Sequence, residues 1–534
     1  MIEQRLQEIE TKAINEIKRV IRNMTLELES LINTPNKSSL TLEDSMQSTN
    51  KEEPFKQAIT PTIDQQRAIN LSKSGKDLIV EAYSGSGKTT LLEAISRESL
   101  DGKRVLYLSF NKAIAKEAQS KFPRHVSCLT THSLAYRELI KNDQLRQDRI
   151  AGGLYPFQLV QLEDIKEGVG QLTNLGLAAY VIDILKNYCQ SDCIKISKKH
   201  RKSPLISSLS DKSKVETFNA AVEIAKSVWK KVNDPECDFP ITHDFYLKMW
   251  TLTKPTLDYD TILVDEAQDS NSAIIGVLNR QKAQLIWVGD KFQSIYSWRG
   301  AVNALSQVSS SHSATIPESF RYGTQLANLA SSILSIGYKT PIKISGNTNV
   351  DTKIEHIETP RAIISRTNSA LITSLIAHNR SYPKHHIYVE GGVKPLLKLV
   401  NGISNLQEGK RTLVPELAVF ESWSEAVEHS KTPEGRSLKG IVNLGNQFDC
   451  SKTLELLKSR VITESAFNAD IVFTTAHKAK GKEYETVALN NDFSLIGEKT
   501  HHEEVNLLYV AVTRAIYGLD ITQCQAAQIE CLAA

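Results

Sequence analysis

The sequence predicts an α/β protein built from two parallel-sheet domains with helical insertions, preceded by an N-terminal amphipathic helix. Three observations carry this. At 534 residues the chain is too long for one hydrophobic core, because single cores stop growing near about 250–300 residues. Short apolar runs (DLIVEAY, RVLYLSF, TILVDEA, QLIWVGD, RAIISR, ADIVFTT, TVALNN) alternate with helical patterns, as strands of a parallel sheet covered on both faces do. These runs form two groups, one before and one after about residue 315.

In chain order, residues 1–32 read as an amphipathic helix. Ile2, Leu6, Ile9, Ala13, Ile17, Val20, Met24, Leu28 and Leu31 fall on one stripe, nearer an eleven-residue repeat than a heptad, which argues against a long left-handed coiled coil. Such a helix either docks on the body of the protein or serves self-association or a protein partner. Residues 33–53 are polar, as a flexible linker would be. A first α/β domain is expected over 54–139 and 255–313, with a helical insertion at 140–254 that contains the basic stretch KISKKHRKSP at 195–204. The second domain is expected over 314–395 and 466–534, with a small insertion at 396–465.

Composition excludes several classes. Hydrophobic residues make up 41% and charged residues 23%, and no run approaches the roughly 18–20 apolar residues of a membrane span. The first twenty residues mix acids and bases without an apolar core, unlike a secretory signal, so the expected location is the cytoplasm, or the nucleus if the source is eukaryotic. Cys128, Cys189, Cys193, Cys237, Cys450, Cys524 and Cys531 are scattered and odd in number, which suits free thiols in a reducing compartment. Cys189, Cys193 and Cys237 lack a fourth ligand at a matching spacing for a metal site. Net charge is only +3, so any grip on nucleic-acid phosphates must be local.

The chemistry begins at Ala82–Thr89, AYSGSGKT, between a strand and a helix, the context a phosphate-binding loop requires. Ser84, Gly85, Ser86, Gly87, Lys88, Thr89 and Thr90 would line a bound nucleotide. The glycines let backbone N–H groups turn toward phosphate, Lys88 reaches the terminal phosphates, and the Thr89 hydroxyl can ligate Mg²⁺. Ala82 stands where the pattern usually begins with Gly. Asp265-Glu266-Ala267-Gln268-Asp269 follows the strand YDTILV. Ligands of open α/β sheets bind beyond that end of the strands, so Asp265 is expected to hold the metal and Glu266 to activate water. These residues imply an enzyme that hydrolyses nucleoside triphosphates, with ATP and Mg²⁺ as its expected ligands.

Further motifs narrow the reading. The chain contains Gln65 with Ala68 and Ile69, Ser109-Phe110-Asn111-Lys112-Ala113, Thr131-His132-Ser133, Gly289–Ala301 (GDKFQSIYSWRGA), Ser319-Phe320-Arg321-Tyr322, Ser365–Asn368, Gly391-Gly392, Thr475–Tyr484 (TAHKAKGKEY) and Tyr509–Ala515 (YVAVTRA). From Pro61 to Leu519 it thereby resembles the superfamily 1 helicases of the UvrD/Rep type, which implies two RecA-like domains. The resemblance implies that Gln65 reads adenine, Arg321 and Arg514 contact the γ-phosphate from the second domain, and Glu483 lies near the ribose. It also implies that Phe110, Asn111, Thr131, His132 and His477 meet the nucleic acid. Gln293 can sense the γ-phosphate while Tyr296 and Trp298 offer flat faces to bases. Such stacking is worth about 1–3 kcal/mol per base and is indifferent to sequence.

The helical stretch ending PITHDFYLKMWTLTKP, before YDTILVDEAQD, looks most like the F-box DNA helicase branch. There His243, Tyr246 and Lys248 either contact the strand or belong to a helix that packs inward. No F-box is evident, so the adaptor role of that branch is not expected. The insertion at 396–465 is too short for the large helical subdomain often found there, which leaves duplex separation open. The implied activity is 3′→5′ movement on single-stranded or tailed duplex DNA. A competing reading is a DNA-stimulated ATPase that serves as sensor or motor for a partner effector such as a nuclease.

Overall fold

The computed structural model describes residues 61–528, apart from 110, 143–144, 171, 207–210, 298–299, 413, 433, 460 and 495–499. The expected helix at 1–32 and linker at 33–53 lie outside the described residues.

Two parallel sheets organise the chain. The first contains β1 (Leu78–Ala82), β2 (Val105–Ser109), β3 (Val126–Thr130), β4 (Thr261–Val264), β5 (Gln284–Gly289) and β6 (His312–Ile316), in the order β3-β2-β4-β5-β1-β6. The second contains β7 (Lys353–Ile354), β8 (Ala362–Ser365), β9 (Ile387–Val389), β10 (Ile462–Thr463), β11 (Ile471–Thr475), β12 (Tyr484–Leu489) and β13 (Ala515–Asp520), in the order β10-β9-β11-β8-β12-β13-β7. All seven apolar runs are strands. β6 pairs with β1 in register from His312 to Ile316, so the first sheet runs past the expected boundary at 313.

Period-two alternation divides the first sheet's core between its faces. Leu106, Leu108, Ile262, Val264, Leu285 and Trp287 meet helices Thr131–Lys141, Asn174–Gln190, Asp211–Asn233 and His243–Leu252. Val105, Tyr107, Leu263, Ile286 and Val288 pack instead against Ile69, Leu91, Leu92, Ile95 and Ala118 of helices Ile63–Ser72, Lys88–Glu98 and Lys112–Lys121. The helical segment 140–254 thus shares the first sheet's core. Trp250, fully buried, donates its indole N–H to Glu138 Oε2 at 2.6 Å; burying such a side chain contributes several kcal/mol.

The segment 396–465 behaves differently from a free-standing insertion. Its helices Trp423–Ser430, Lys439–Gln447 and Cys450–Lys458 enclose a core with Ile387, Val389, Ile471 and Phe473 of the second sheet, and β10 pairs with β9. It therefore covers and extends that sheet. Among the described residues no helix is long and apolar enough to cross a membrane.

Candidate nucleotide site and strand cleft

β1 ends at Ala82 and the chain turns through Tyr83–Gly87 into the helix Lys88–Glu98. Gly85 and Gly87 adopt left-handed backbone angles, φ +77° and +75°, which cost an L side chain about 1–2 kcal/mol each. Gly85 also has no room for one. A Cβ there would lie 2.3 Å from Ser319 Oγ and 2.8 Å from Arg321 Cβ. The helix begins without a side-chain cap, so its first N–H groups and the positive end of its dipole remain for an anion.

The strand order sets β5 beside β1 and β4 next beyond it, so Asp265 and Asp290, just past the ends of β4 and β5, lie near the loop. Asp265 accepts from Tyr107 Oη at 2.6 Å and from the Glu266 N–H at 2.9 Å. Burial, reinforced by neighbouring Glu266, raises the Asp265 carboxyl above its ordinary range. For Glu266 burial acts in the same direction, but Lys88 and Lys480 outweigh it and hold this carboxyl well below the usual range. Gln268 Nε2 donates to Glu266 Oε2, and Gln268 Oε1 accepts the Asp290 N–H at 3.0 Å. Glu266 itself has a left-handed backbone, φ +50°, a strained geometry often found at functional sites.

Two arginines of the second half converge on one hydroxyl. Arg321 Nη1 and Arg514 Nη2 each donate to Ser84 Oγ at 2.9 Å. Arg321 also bonds Glu483 Oε1 at 2.8 Å and the Thr513 carbonyl at 3.0 Å. Arg514 is fixed by the carbonyls of Val510 and Lys482 and by Thr513 Oγ1. Burial, with Arg321 close by, lowers the Arg514 guanidinium to about 9, so it stays charged at neutral pH. The Ser84 N–H donates to Tyr509 Oη at 3.0 Å, and Tyr509 Oη donates to Asp290 Oδ2 at 3.0 Å. Gln293 Nε2 donates to the same Asp290 oxygen at 2.8 Å. Lys480 spans the two halves as well, bonding Asp269 Oδ2 at 2.6 Å and the Gln293 carbonyl at 2.7 Å.

Gln65 caps its own helix with Thr62 and donates to the Ser86 carbonyl at 3.2 Å, which places it beside the loop. Thr89 is half-buried and Thr90 exposed. The donor set fits a magnesium nucleotide: a hydroxyl at Thr89, the buried carboxylate of Asp265, the Lys88 ammonium and an uncapped helix start. The Ser86 hydroxyl, buried in the loop without a hydrogen-bond partner, fits a site that receives a polar ligand.

A cleft of 1210 Å³ opens from these acids. Asp265, Glu266 and Asp269 line one part of it, Asn111, Thr131 and His132 another, and Lys186, Gln190, His243 and Tyr246 come from the helical segment. The His132, His243 and Tyr246 rings meet edge to face, with centroids 5.5–6.4 Å apart. The Asn111 side chain caps the helix Lys112–Lys121 through the Ile114 N–H.

Not every expected strand residue lies in this cleft. Tyr296 and His477 do not line it. They meet across the seam between the two halves, where Tyr296 Oη donates to the His477 carbonyl at 3.0 Å and His477 Nε2 pairs with the Ile295 carbonyl at 3.1 Å. Phe110 and Trp298 lie outside the described residues. Lys248 is buried, with its ammonium donating to the carbonyls of Ser191 and Cys193 at 2.7 Å, so of the three candidates on that helix only His243 is exposed. Gly300, φ +70°, presses on the same helical segment. A Cβ there would lie 2.2 Å from Gln190 Oε1.

Sequence reasoning gives no role to Tyr107, Asp290 or Tyr509, which tie the site together. The available signals are a tyrosine inside an otherwise apolar buried strand, an aspartate just past a parallel strand, and a tyrosine within the apolar helix VNLLYVAV.

Comparison with known proteins gives the same outline. Residues 62–312 match the UvrD/REP helicase N-terminal domain and residues 470–518 the UvrD-like helicase C-terminal domain. The chain is 30% identical over 493 residues to F-box DNA helicase 1 of Gallus gallus, covering 85% of this chain and 48% of that protein. It is 30% identical over 492 residues to F-box DNA helicase protein 1 of Schizosaccharomyces pombe, covering 83% and 55%. A probable DNA helicase II homolog of Mycoplasma genitalium is 28% identical over 327 residues, covering 53% of this chain and 44% of that protein. The chain spans about half the length of the curated relatives it matches. With both domain families matched in order on a frame of two parallel sheets, the chain belongs to the UvrD/Rep-type superfamily 1 helicases.

Proposed function

We propose that the protein is an ATP-driven DNA helicase that moves 3′→5′ on single-stranded DNA. The observation that carries this reading is the convergence of Arg321 and Arg514, from the second half, on Ser84 of the phosphate loop. A triphosphate in the loop offers these guanidiniums a stronger acceptor than a hydroxyl, so binding and hydrolysis bias how the two halves meet. Thr89 and Asp265 would hold the magnesium ion, which neutralises charge on the phosphates. Lys88 binds the terminal phosphates, and Glu266, kept ionised by Lys88 and Lys480, accepts a proton from the attacking water. The cleft reaches from Glu266 to His132 and His243, so the strand path adjoins the hydrolytic acids. Tyr296 and His477 couple the halves at their seam, and Trp298, two residues on in the sequence, is assigned to base stacking.

The experiment is strand displacement on 3′-tailed and 5′-tailed duplexes, with Lys88→Ala as control. Displacement of the 3′-tailed substrate alone is expected. Preference for the 5′ tail would overturn the direction. The docking of 396–465 on the second sheet favours a second reading, a strand-stimulated ATPase that works for a partner effector. ATP turnover stimulated by single strands without displacement of either substrate would select it.

A further inference from the structure

The basic stretch at 195–202 takes no part in the nucleotide site and does not line the cleft. Lys195, Lys198, Lys199, Arg201 and Lys202 are exposed, and among the described residues none of them has an acidic partner within 4.0 Å. No acidic residue occurs from Cys193 to Ser210. Five cations in eight residues exceed the net charge of the whole chain, +3.

The backbone beneath these side chains is fastened inward. Tyr180 Oη donates to the Arg201 carbonyl at 3.0 Å, Tyr188 Oη to Ile194 at 2.8 Å, and Asn187 Nδ2 to His200 and Lys202 at 3.0 and 2.7 Å. His200 is buried, its Nδ1 accepting the Ser197 N–H and its Nε2 paired with Ser191 Oγ. Burial lowers its pKa, so it is a neutral anchor. The Lys248 ammonium holds the carbonyls of Ser191 and Cys193 from below. The cations are thus presented on a fixed platform, which loses less entropy on binding than a mobile tail would.

This platform suits phosphates of a duplex. No Phe, Tyr or Trp occurs from Cys193 to Ser210, whereas a grip on single strands relies on aromatic faces for unstacked bases. A duplex keeps its bases stacked and presents a dense row of phosphates. Position agrees as well. The helix Asn174–Gln190 supplies Lys186 and Gln190 to the cleft, and the platform follows directly from its end. We propose that residues 195–202 bind the phosphate backbone of the double-stranded DNA that adjoins the single strand in the cleft. This rests on the cleft being the strand path of the proposed function.

The test uses the full chain with Lys195, Lys198, Lys199, Arg201 and Lys202 all changed to Gln. Fluorescence anisotropy measures binding to a 3′-tailed duplex and to the same single strand between 50 and 200 mM salt. Each phosphate that is no longer neutralised lowers the slope of log affinity against log salt by about 0.9. The tailed-duplex slope should fall by about 2–4.5, while the single-strand slope and strand-stimulated ATP turnover stay unchanged. A control carrying Arg at all five positions should keep the wild-type slope, which separates charge from folding. An unchanged tailed-duplex slope would overturn the proposal, and so would an equal fall on the single strand. Failure of the functional reading is visible separately, as wild-type protein whose ATP turnover single strands do not stimulate.

Discussion

Arg514→Ala removes a side chain that is 1% exposed and makes bonds to Val510, Lys482, Ser84 and Thr513. Two consequences differ in size. For folding, Ser84 Oγ keeps Arg321 as a donor, and the carbonyls left behind cost about 1–3 kcal/mol. The desolvation that lowers the guanidinium to about 9 is relieved, which offsets part of that loss. For turnover, an arginine placed on the transferring phosphoryl group is worth about 10³–10⁵ in rate, which is about 4–7 kcal/mol. The expected outcome is ATP turnover at least a thousandfold lower, with nucleotide binding reduced by a much smaller factor. Single-turnover hydrolysis with saturating single strand measures the first, titration with a fluorescent nucleotide the second, and a thermal melt reports folding. A folded variant that hydrolyses within tenfold of wild type would refute the role given to Arg514.

Gly85→Ala combines a left-handed backbone with the close approach of Ser319 and Arg321. It should lower stability by at least about 1–2 kcal/mol and reduce turnover, read by denaturant melts and ATP hydrolysis; wild-type values for both would mean the loop shifts freely. Tyr107→Phe deletes the bond to Asp265 and should cost about 1.5–3 kcal/mol, the range for a bond to a charged acceptor, with weaker nucleotide binding in magnesium. Burial, partly opposed by Lys480, raises Asp269 from 3.8 to about 6. The folded chain therefore holds this proton more tightly than the unfolded one, so the contribution is complete below about pH 4 and is lost as pH rises through about 6, up to about 3 kcal/mol. Asp269→Asn should flatten the decline of stability between pH 4 and 7, and an identical profile in denaturant melts would contradict this. Lys480→Met should destabilise by about 3–5 kcal/mol at pH 7, because it strands a buried carboxylate, and by less at pH 5.

What can be read from the sequence follows from burial. β2, β4, β5 and β11 are buried along their whole length, and their sequences are continuous apolar runs. β3 and β6 are edges of the first sheet, with exposed or half-exposed alternate residues, so VSCLT and HSATI carry too little apolar signal to stand out. β7 and β10, edges of the second sheet, are two residues long. Helical patterning at 396–465 is visible, but periodicity does not tell which surface a helix covers. The same limit applies at the site. Motifs identify Lys88, Asp265, Arg321 and Arg514, and the structure gathers them around one loop. Motifs identify Tyr296 and His477 in the same way, yet only three dimensions reveal that their polar atoms bond across the seam. Lys248 looks like a cation for the strand because sequence does not reveal the two carbonyls that hold it.

The contact between Gly300 and Gln190 has a mechanical consequence. Gln190 ends the helix Asn174–Gln190, and Gly300 ends the segment that begins with Asp290 and carries Gln293, bonded to that same aspartate. With less than a methyl group of clearance between them, this joint has almost no slack, and tightly packed matter passes strain on without absorbing it. Any side chain added at Gly300 would therefore have to displace Gln190, a residue of the cleft wall, and so would be felt in the cleft itself.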